Sequence, residues 1–488
     1  MVTGVQTCAL PICYRFAPGD PEQRDRLYLN DGKGNFTRAE GALPPDEMPA
    51  GAVCAADFDG DGDLDLFVGD RVIAEDFPMP ADGRILRNDG KGKFSDVTKE
   101  VAPELIGTGL VTSALWTDAD GDGALDLLVA HEWGPVKLFL NRKGKLVLRK
   151  ASDDLANRRG WWNGLAAADV NHDGKMDYVA TNLGWNTRYG RPGARYPSVL
   201  FYGQFFDGGL PKIVEAHSEG ERMLPVRGLN SAAAEMPELK QLFRTHKAYA
   251  AAELDQIYSA KALAAAKKFE ADTFESGVFI NNGPDVNGEP TFTFQSLDLR
   301  AQFAPGFGVV CSDMDGDGNA DIYLTQNLRA TPPELPHFDG GLSVLLLGDG
   351  HGGFAPVEPR QSGLIVPGDG RACVLADLDG DDWPDLAVSV NNEPMTAFTN
   401  AGDHAGRAML RIELPANAAG ARVTVECAGL PAQTAELAVG GGYGSQGPPL
   451  LWFGLGIGAH EGKIAVRWPN GKVSEQKFSG TRVKVAHP

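Results

Sequence analysis

The sequence predicts an all-β protein: a β-propeller of about seven blades with a helical insertion, followed by a small C-terminal β domain. Three observations lead there. An Asp-rich motif, D-x-[DN]-x-D-x-x-x-D, recurs five times. Each copy follows a small-residue apolar stretch and runs into a β-type segment (LFVG, LLVA, YVAT, IYLT, LAVS). The composition, with 61 Gly and 32 Pro in 488 residues, favours many turns and short strands over long helices.

Along the chain, residues 1–13 are set aside. Val2–Ile12, VTGVQTCALPI, looks like the translation of a common sequencing-adapter oligonucleotide, so the native start and any signal peptide are expected to be missing. The propeller is expected over 14–404. LYLNDGKGNF (27–36) reads as the end of a first unit. The loops DFDGDGDLD (Asp57–Asp65), DADGDGALD (Asp118–Asp126), DVNHDGKMD (Asp169–Asp177), DMDGDGNAD (Asp313–Asp321) and DLDGDDWPD (Asp377–Asp385) mark further units. Turn-and-strand segments follow, such as ILRNDGKGKF and SVLLLGDGHGGF. The loops start 61, 51, 144 and 64 residues apart, so the long gap is expected to hold a decayed unit at FYGQFFDGGLPKIV (201–214) plus an insertion. The Ala-, Leu-, Lys- and Glu-rich stretch within about 215–275 predicts one or two helices, either a lid on its own blade or an amphipathic docking element. Residues 405–488 carry alternating stretches (MLRIEL, ARVTVEC, KIAVRW, TRVKV) around GGGYGSQGPPLLWFGLG, which predicts a separate antiparallel β domain.

The motif carries its own chemistry. Four carboxylates converging in one short loop repel or take up protons unless a cation joins them. The expected ligands are Asp57, Asp59, Asp61, Asp63 and Asp65 in the first loop; Asp118, Asp120, Asp122, Ala124 and Asp126 in the second; and Asp169, Asn171, Asp173, Lys175 and Asp177 in the third. In the fourth they are Asp313, Asp315, Asp317, Asn319 and Asp321, and in the fifth Asp377, Asp379, Asp381, Trp383 and Asp385. The seventh position offers its backbone carbonyl, and Gly at positions 4 and 6 lets the chain curl. All-oxygen ligation in a flexible loop favours Ca²⁺ over Mg²⁺, with up to about five ions. An EF-hand is excluded, because its loop has twelve residues, ends in Glu and lies between helices. Asn171 and His172 in the third loop, and Asp382 and Pro384 in the fifth, predict weaker or altered binding.

The formal charge is −20, with 65 Asp+Glu against 45 Lys+Arg. Such a surface repels nucleic acid and anionic membranes, and no stretch is long and apolar enough for membrane insertion. Extracellular calcium modules bind at roughly 10⁻⁴–10⁻³ M, which predicts an extracytoplasmic protein: periplasmic, cell-surface or secreted.

The Asp loops and the strands after them, including GFGVVCSDMDGDGNADIYL, resemble the FG-GAP/VCBS repeats of integrin-type β-propellers. GGGYGSQ, WFGLG and VRWPNGKV resemble the ASPIC/UnbV domain, although Gly444 stands where such domains often carry a larger residue. Together they resemble the cartilage-acidic-protein-like bacterial family from about residue 27 onwards. The resemblance implies the propeller fold and calcium, and leaves the ligand open.

Other constellations are less specific. Trp161, Trp162, Trp185, Asn186, Arg188 and Tyr189 suit stacking and hydrogen bonding to sugars, or packing between blades. His131 and Glu132 read as an acid/base pair or as a blade-edge turn. Cys54, Cys311 and Cys373 occupy one repeated slot before an Asp loop, a small buried strand position. The leading expectation is a non-enzymatic, calcium-binding module for adhesion, scaffolding or recognition of a protein or glycan partner. The alternative is a calcium-dependent polysaccharide lyase or glycoside hydrolase on the propeller face, for which Arg188 and His131 are the residues on offer.

Overall fold

The computed structural model describes residues 2–6, 24–46, 48–331, 336–401, 404–458 and 460–487. The expectation for residues 1–13 lies mostly outside them, as do Cys8 and Cys13. Of that segment Val2–Gln6 is described, as a strand paired with Arg26–Asn30.

Six sheets follow the repeat among the described residues. The first holds Val2–Gln6, Arg26–Asn30 and Phe36–Arg38. The second is an antiparallel meander of Ala50–Ala56, Asp65–Asp70, Gly83–Asn88 and Phe94–Asp96. The third runs Leu110–Thr117, Asp126–Pro135, Lys137–Asn141 and Leu146–Leu148. The fourth joins Leu165–Ala168, Asp177–Ala180, Gly277–Pro284 and Pro290–Ser296. The fifth is Gly306–Ser312, Asp321–Gln326, Val344–Gly348 and Phe354–Pro356, and the sixth is Gly370–Ala376, Asp385–Val390 and Thr396–Phe398. First strands of successive sheets from the second to the sixth contact one another, as the inner strands of propeller blades do. Leu110–Thr117 is buried along its whole length, which is why it reads as continuous apolar and small residues rather than as an alternation.

The long gap differs from expectation. FYGQFFDGGLPKIV is not a blade of the repeat. Ser198–Gly203 and Lys212–Glu219 pair with each other, and with Lys267–Ala271 and Arg222–Pro225, in a separate four-stranded sheet. That sheet and the helices lie between the second and third strands of the fourth blade, so the insertion spans 181–276 rather than about 215–275. Its strands mimic a repeat unit locally, and only their pairing separates them from one. Five short helices replace the one or two expected: Leu229–Glu235, Leu239–Leu242, His246–Ala251, Leu254–Ile257 and Ala260–Ala265. Thr245 and Ser259 accept bonds from Ala248 and Ala262 backbone N–H groups, and these caps start new helices within the Ala-rich run. The helices pack on the inserted sheet through Val199, Phe201, Val214, Leu229, Leu239 and Tyr258.

The C-terminal domain is two sheets around a core that includes Leu410, Val423, Phe453, Ile464 and Trp468. It is not wholly antiparallel, because Arg407–Glu413 pairs in parallel with Arg482–Lys484.

The glycine-rich loop of this domain runs along the propeller axis. Ala55 N–H donates to Val439 O at 2.8 Å, and Cys54 bridges to Gly440. Gly442 bridges to Leu165 and accepts from Ser113 Oγ at 2.6 Å. The Tyr443 ring meets Phe307 edge-on at 5.2 Å. The loop thus touches the first strands of the second, third, fourth and fifth blades, and only the axis adjoins them all. A Cβ on Gly440 (φ +90°) would lie 2.5 Å from Val53 O, so the channel admits bare backbone there. Gly444 is exposed, and a Cβ on it would meet nothing. A cavity of about 210 Å³ remains beside the loop, with Leu115, Cys311, Cys373 and Gln446 in its wall.

Candidate metal centres

Each Asp loop connects the first and second strands of a blade, and its carboxylates are held by its own backbone. In the first four loops, the first-position carboxylate (Asp57, Asp118, Asp169, Asp313) accepts the N–H of the sixth residue at 2.6–3.1 Å. In all five, the seventh-position N–H donates to the fifth-position Asp, as Ala124 does to Asp122 at 2.8 Å. The ninth-position Asp is buried and accepts from the third strand of its blade. Asp65 takes Asn88 N–H, Asp126 takes Asn141, Asp177 takes Asn281, Asp321 takes Gly348 and Asp385 takes Asn400. Positions 4 and 6 lie in the left-handed region, for example Gly60 at φ +80° and Gly62 at φ +97°, as this curl requires.

Four loops bring three carboxylates together, with ligand atoms within 4.8 Å of one another: Asp57, Asp59, Asp61; Asp118, Asp120, Asp122; Asp313, Asp315, Asp321; and Asp377, Asp379, Asp385. The third loop gives no such carboxylate group. Asn171 takes an acidic position there, and the Lys175 ammonium sits on Asp173. Asp63 lies beside Gly90. Of the other seventh-position residues, Lys175 has its ammonium on Asp173 and Asn319 its Oδ1 on His172.

The electrostatics call for positive charge. Burial pushes Asp65 and Asp177 up to about 7, and Asp126 and Asp321 well above the ordinary carboxylate range, with neighbouring carboxylates adding to it. Asp313 is likewise raised to about 7, chiefly by burial. Asp65 Oδ2 and Asp118 Oδ1 are buried without a hydrogen-bond partner. Hard oxygen donors, three to a site, with buried oxygens to spare, fit a divalent cation such as Ca²⁺.

Two substitutions keep the curl without Gly. His172 (φ +59°) bonds through Nε2 to Asn319 Oδ1 of the next Asp loop at 2.9 Å. Asp382 (φ +77°) is held by Arg482 at 2.6 Å.

A set of asparagines, not foreseen from the sequence, ties the loops together. Asn141 Nδ2 donates to Phe58 O, Asn281 to Ala119 O and Asn400 to Met314 O, each on the preceding Asp loop. The signal was present as the Asn in LFLN, FIN and FTN, in or just after a blade's third strand.

The C-terminal domain lies on the Asp-loop face. Arg467 pairs with Asp118, and Arg422 donates to Asp118 O at 2.8 Å while pairing with Glu436. Arg407 pairs with Asp315 at 2.8 Å, and Arg411 pairs with Asp377.

The aromatic stretch is divided by the fold. Trp162 is fully buried against Phe279 and Phe294, and Tyr189 is buried against Trp133 and Phe274 with its hydroxyl on Glu215. Neither presents a face to solvent, which corrects the expectation for both. Trp161 is half-buried in the same cluster as Tyr189. Trp185 is half-buried with the Arg191 guanidinium 3.8 Å from its ring centre, while Asn186 and Arg188 are exposed. His131 is buried, hydrogen-bonded to Thr108 and Pro135 O, and burial lowers it to about 3. It is a neutral structural group, and buried Glu132 pairs with Arg71. Cys54 and Cys373 are buried and Cys311 partly so, in the strand slot the sequence indicated; these and Cys427 are free thiols.

Comparison with known proteins finds both repeats and a C-terminal domain. FG-GAP-like repeats match residues 16–68 and 118–180, and an ASPIC and UnbV domain matches 413–485. The chain therefore carries FG-GAP-like repeats and a C-terminal ASPIC/UnbV domain. No curated protein matches it. Among solved structures, a rhamnogalacturonan lyase of Bacillus licheniformis is similar at 12% identity and TM-score 0.29, over 98% of this chain and 76% of that one. The extracellular domain of the hybrid two component system BT3049 from B. thetaiotaomicron is similar at 12% identity and TM-score 0.22, over 94% of this chain and 54% of that one.

Proposed function

We propose that this protein is a calcium-stabilised, extracytoplasmic β-propeller that binds a protein or glycan, or holds such partners together, without catalysing a reaction. The observation that carries the reading is the convergence of three carboxylates in each of four loops that share one backbone scaffold. Calcium would fix the inter-strand turns, and through the asparagine ties it would fix the angle between adjacent blades. The extracytoplasmic placement rests on calcium supply: sites of the extracellular type fill at roughly 10⁻⁴–10⁻³ M. No helix among the described residues is long and apolar enough to cross a membrane.

The C-terminal domain covers the Asp-loop side, so partner recognition falls to the opposite face and the insertion. Asn186 and Arg188 are exposed at the start of the insertion, with Trp185 half-buried next to them. A lyase or hydrolase would need a solvent-facing base, and His131, the residue on offer, is buried.

The test is thermal unfolding of chelator-treated protein with and without 1 mM-scale calcium, alongside magnesium. At about one to ten times a dissociation constant of that size, calcium stabilises by about 0.4–1.4 kcal/mol per site, so over several sites the expected shift is a few degrees, larger than with magnesium. An unchanged melting temperature would sink the reading.

A further inference from the structure

We propose that the C-terminal domain and divalent cations compete for three of the five Asp loops, so that cation loading and domain docking oppose one another. This rests on the calcium reading above and adds a regulatory role for the C-terminal domain. Arg467 bonds Asp118 Oδ2 in the second loop, Arg407 bonds Asp315 Oδ2 in the fourth and Arg411 bonds Asp377 Oδ2 in the fifth. All three carboxylates belong to the converging triads. Arg407 also donates to Asp315 O at 3.1 Å.

The first and third loops differ. Among the described residues, no arginine of the C-terminal domain pairs with their carboxylates. Their cationic partners come from the propeller itself: Arg87 at 2.8 Å from Asp59, and Lys175 on Asp173.

An independent observation points to a ligand in the contested loops. Asp118 is 2% exposed, and its Oδ1 is buried without a partner while Oδ2 serves Arg467 and the Gly123 N–H. One carboxylate thus faces two positive demands. A guanidinium on one oxygen and a divalent ion on the other share a single negative charge and repel each other across a few ångströms in a partly dry site. Each arginine therefore lowers cation affinity at its loop. By linkage, each cation bound there weakens the hold of the C-terminal domain by the same factor. The first loop meets no arginine of the C-terminal domain: Arg87, on Asp59, belongs to its own blade and stays in place whether or not that domain is docked. The chain then has one triad whose loading is indifferent to docking and three whose loading opposes it.

The experiment is calorimetric titration of chelator-treated full-length protein with calcium chloride, for wild type and for R407Q/R411Q/R467Q. Protease cleavage between the sixth blade and the C-terminal domain is followed in parallel. The triple variant is expected to bind calcium roughly tenfold more tightly than wild type at the three released loops, within the 5- to 150-fold range usual for coupled sites. Calcium is expected to speed that cleavage in wild type. Binding of equal affinity in both proteins, or cleavage indifferent to calcium, overturns the coupling and leaves the calcium reading intact. No binding heat in either protein overturns the calcium reading itself. R467Q alone, which leaves the other two clamps in place, supplies the same comparison at one site if the triple variant misfolds.

Discussion

The third and fourth Asp loops face each other across a blade boundary and share one backbone plan. In each, the first Asp holds the sixth N–H, the fifth holds the seventh and the ninth holds the second: Gly174, Lys175 and Val170 donate in the third loop, and Gly318, Asn319 and Met314 in the fourth. Yet only the fourth gathers three carboxylates. In the third, Asn171 removes a charge and Lys175 brings an ammonium to Asp173. The comparison separates two jobs that one motif performs. Some of its carboxylates build the turn by accepting backbone N–H groups, and a turn so built survives loss of the rest. The remainder set the charge that a cation answers.

The largest effect expected from this division is at the ninth position. Asp177→Ala leaves the buried N–H groups of Val170 and Asn281 unpaired, and Asp321→Ala the part-buried ones of Met314 and Gly348. In chelator, both should cost about 2–5 kcal/mol in urea unfolding. In calcium, Asp321→Ala should cost more than Asp177→Ala. Equal losses in calcium would erase the distinction between the loops.

A smaller effect is expected from Asn171→Asp combined with Lys175→Asn, which gives the third loop the charge of the fourth. The variant should bind one additional calcium equivalent by titration, with a gain of about 1–3 kcal/mol in calcium alone. Smallest is Asp382→Gly in the fifth loop. It relieves a left-handed non-glycine residue (φ +77°) but gives up the pair with half-exposed Arg482. The two terms nearly cancel, and the melting temperature should move by no more than a degree or two.

What the sequence disclosed follows the same line. The Asp loops were legible because the bonds that shape each turn lie within its own nine residues or reach its own blade, so spacing alone encodes them. The asparagine ties were not, because Asn141, Asn281 and Asn400 reach carbonyls on a neighbouring blade. Residues 201–214 passed for a repeat unit because a strand, a glycine turn and a strand look alike wherever they pair. Trp162 and Tyr189 shared the composition of a sugar-binding face, and burial, which composition does not report, placed both in cores. GGGYGSQ carried a recognisable resemblance, but its task depends on the absence of side chains, and absence has no spacing to read.

That task bears on how the molecule is put together. A segment lodged along the hub of a ring cannot be released by swinging outward, as a lid on a hinge can. It must be drawn out lengthwise, and Tyr443, wedged against Phe307, is the widest part to be withdrawn. Residues 439–447 follow blades two to six along the chain, so the ring is fully synthesised before the segment that fills its hub.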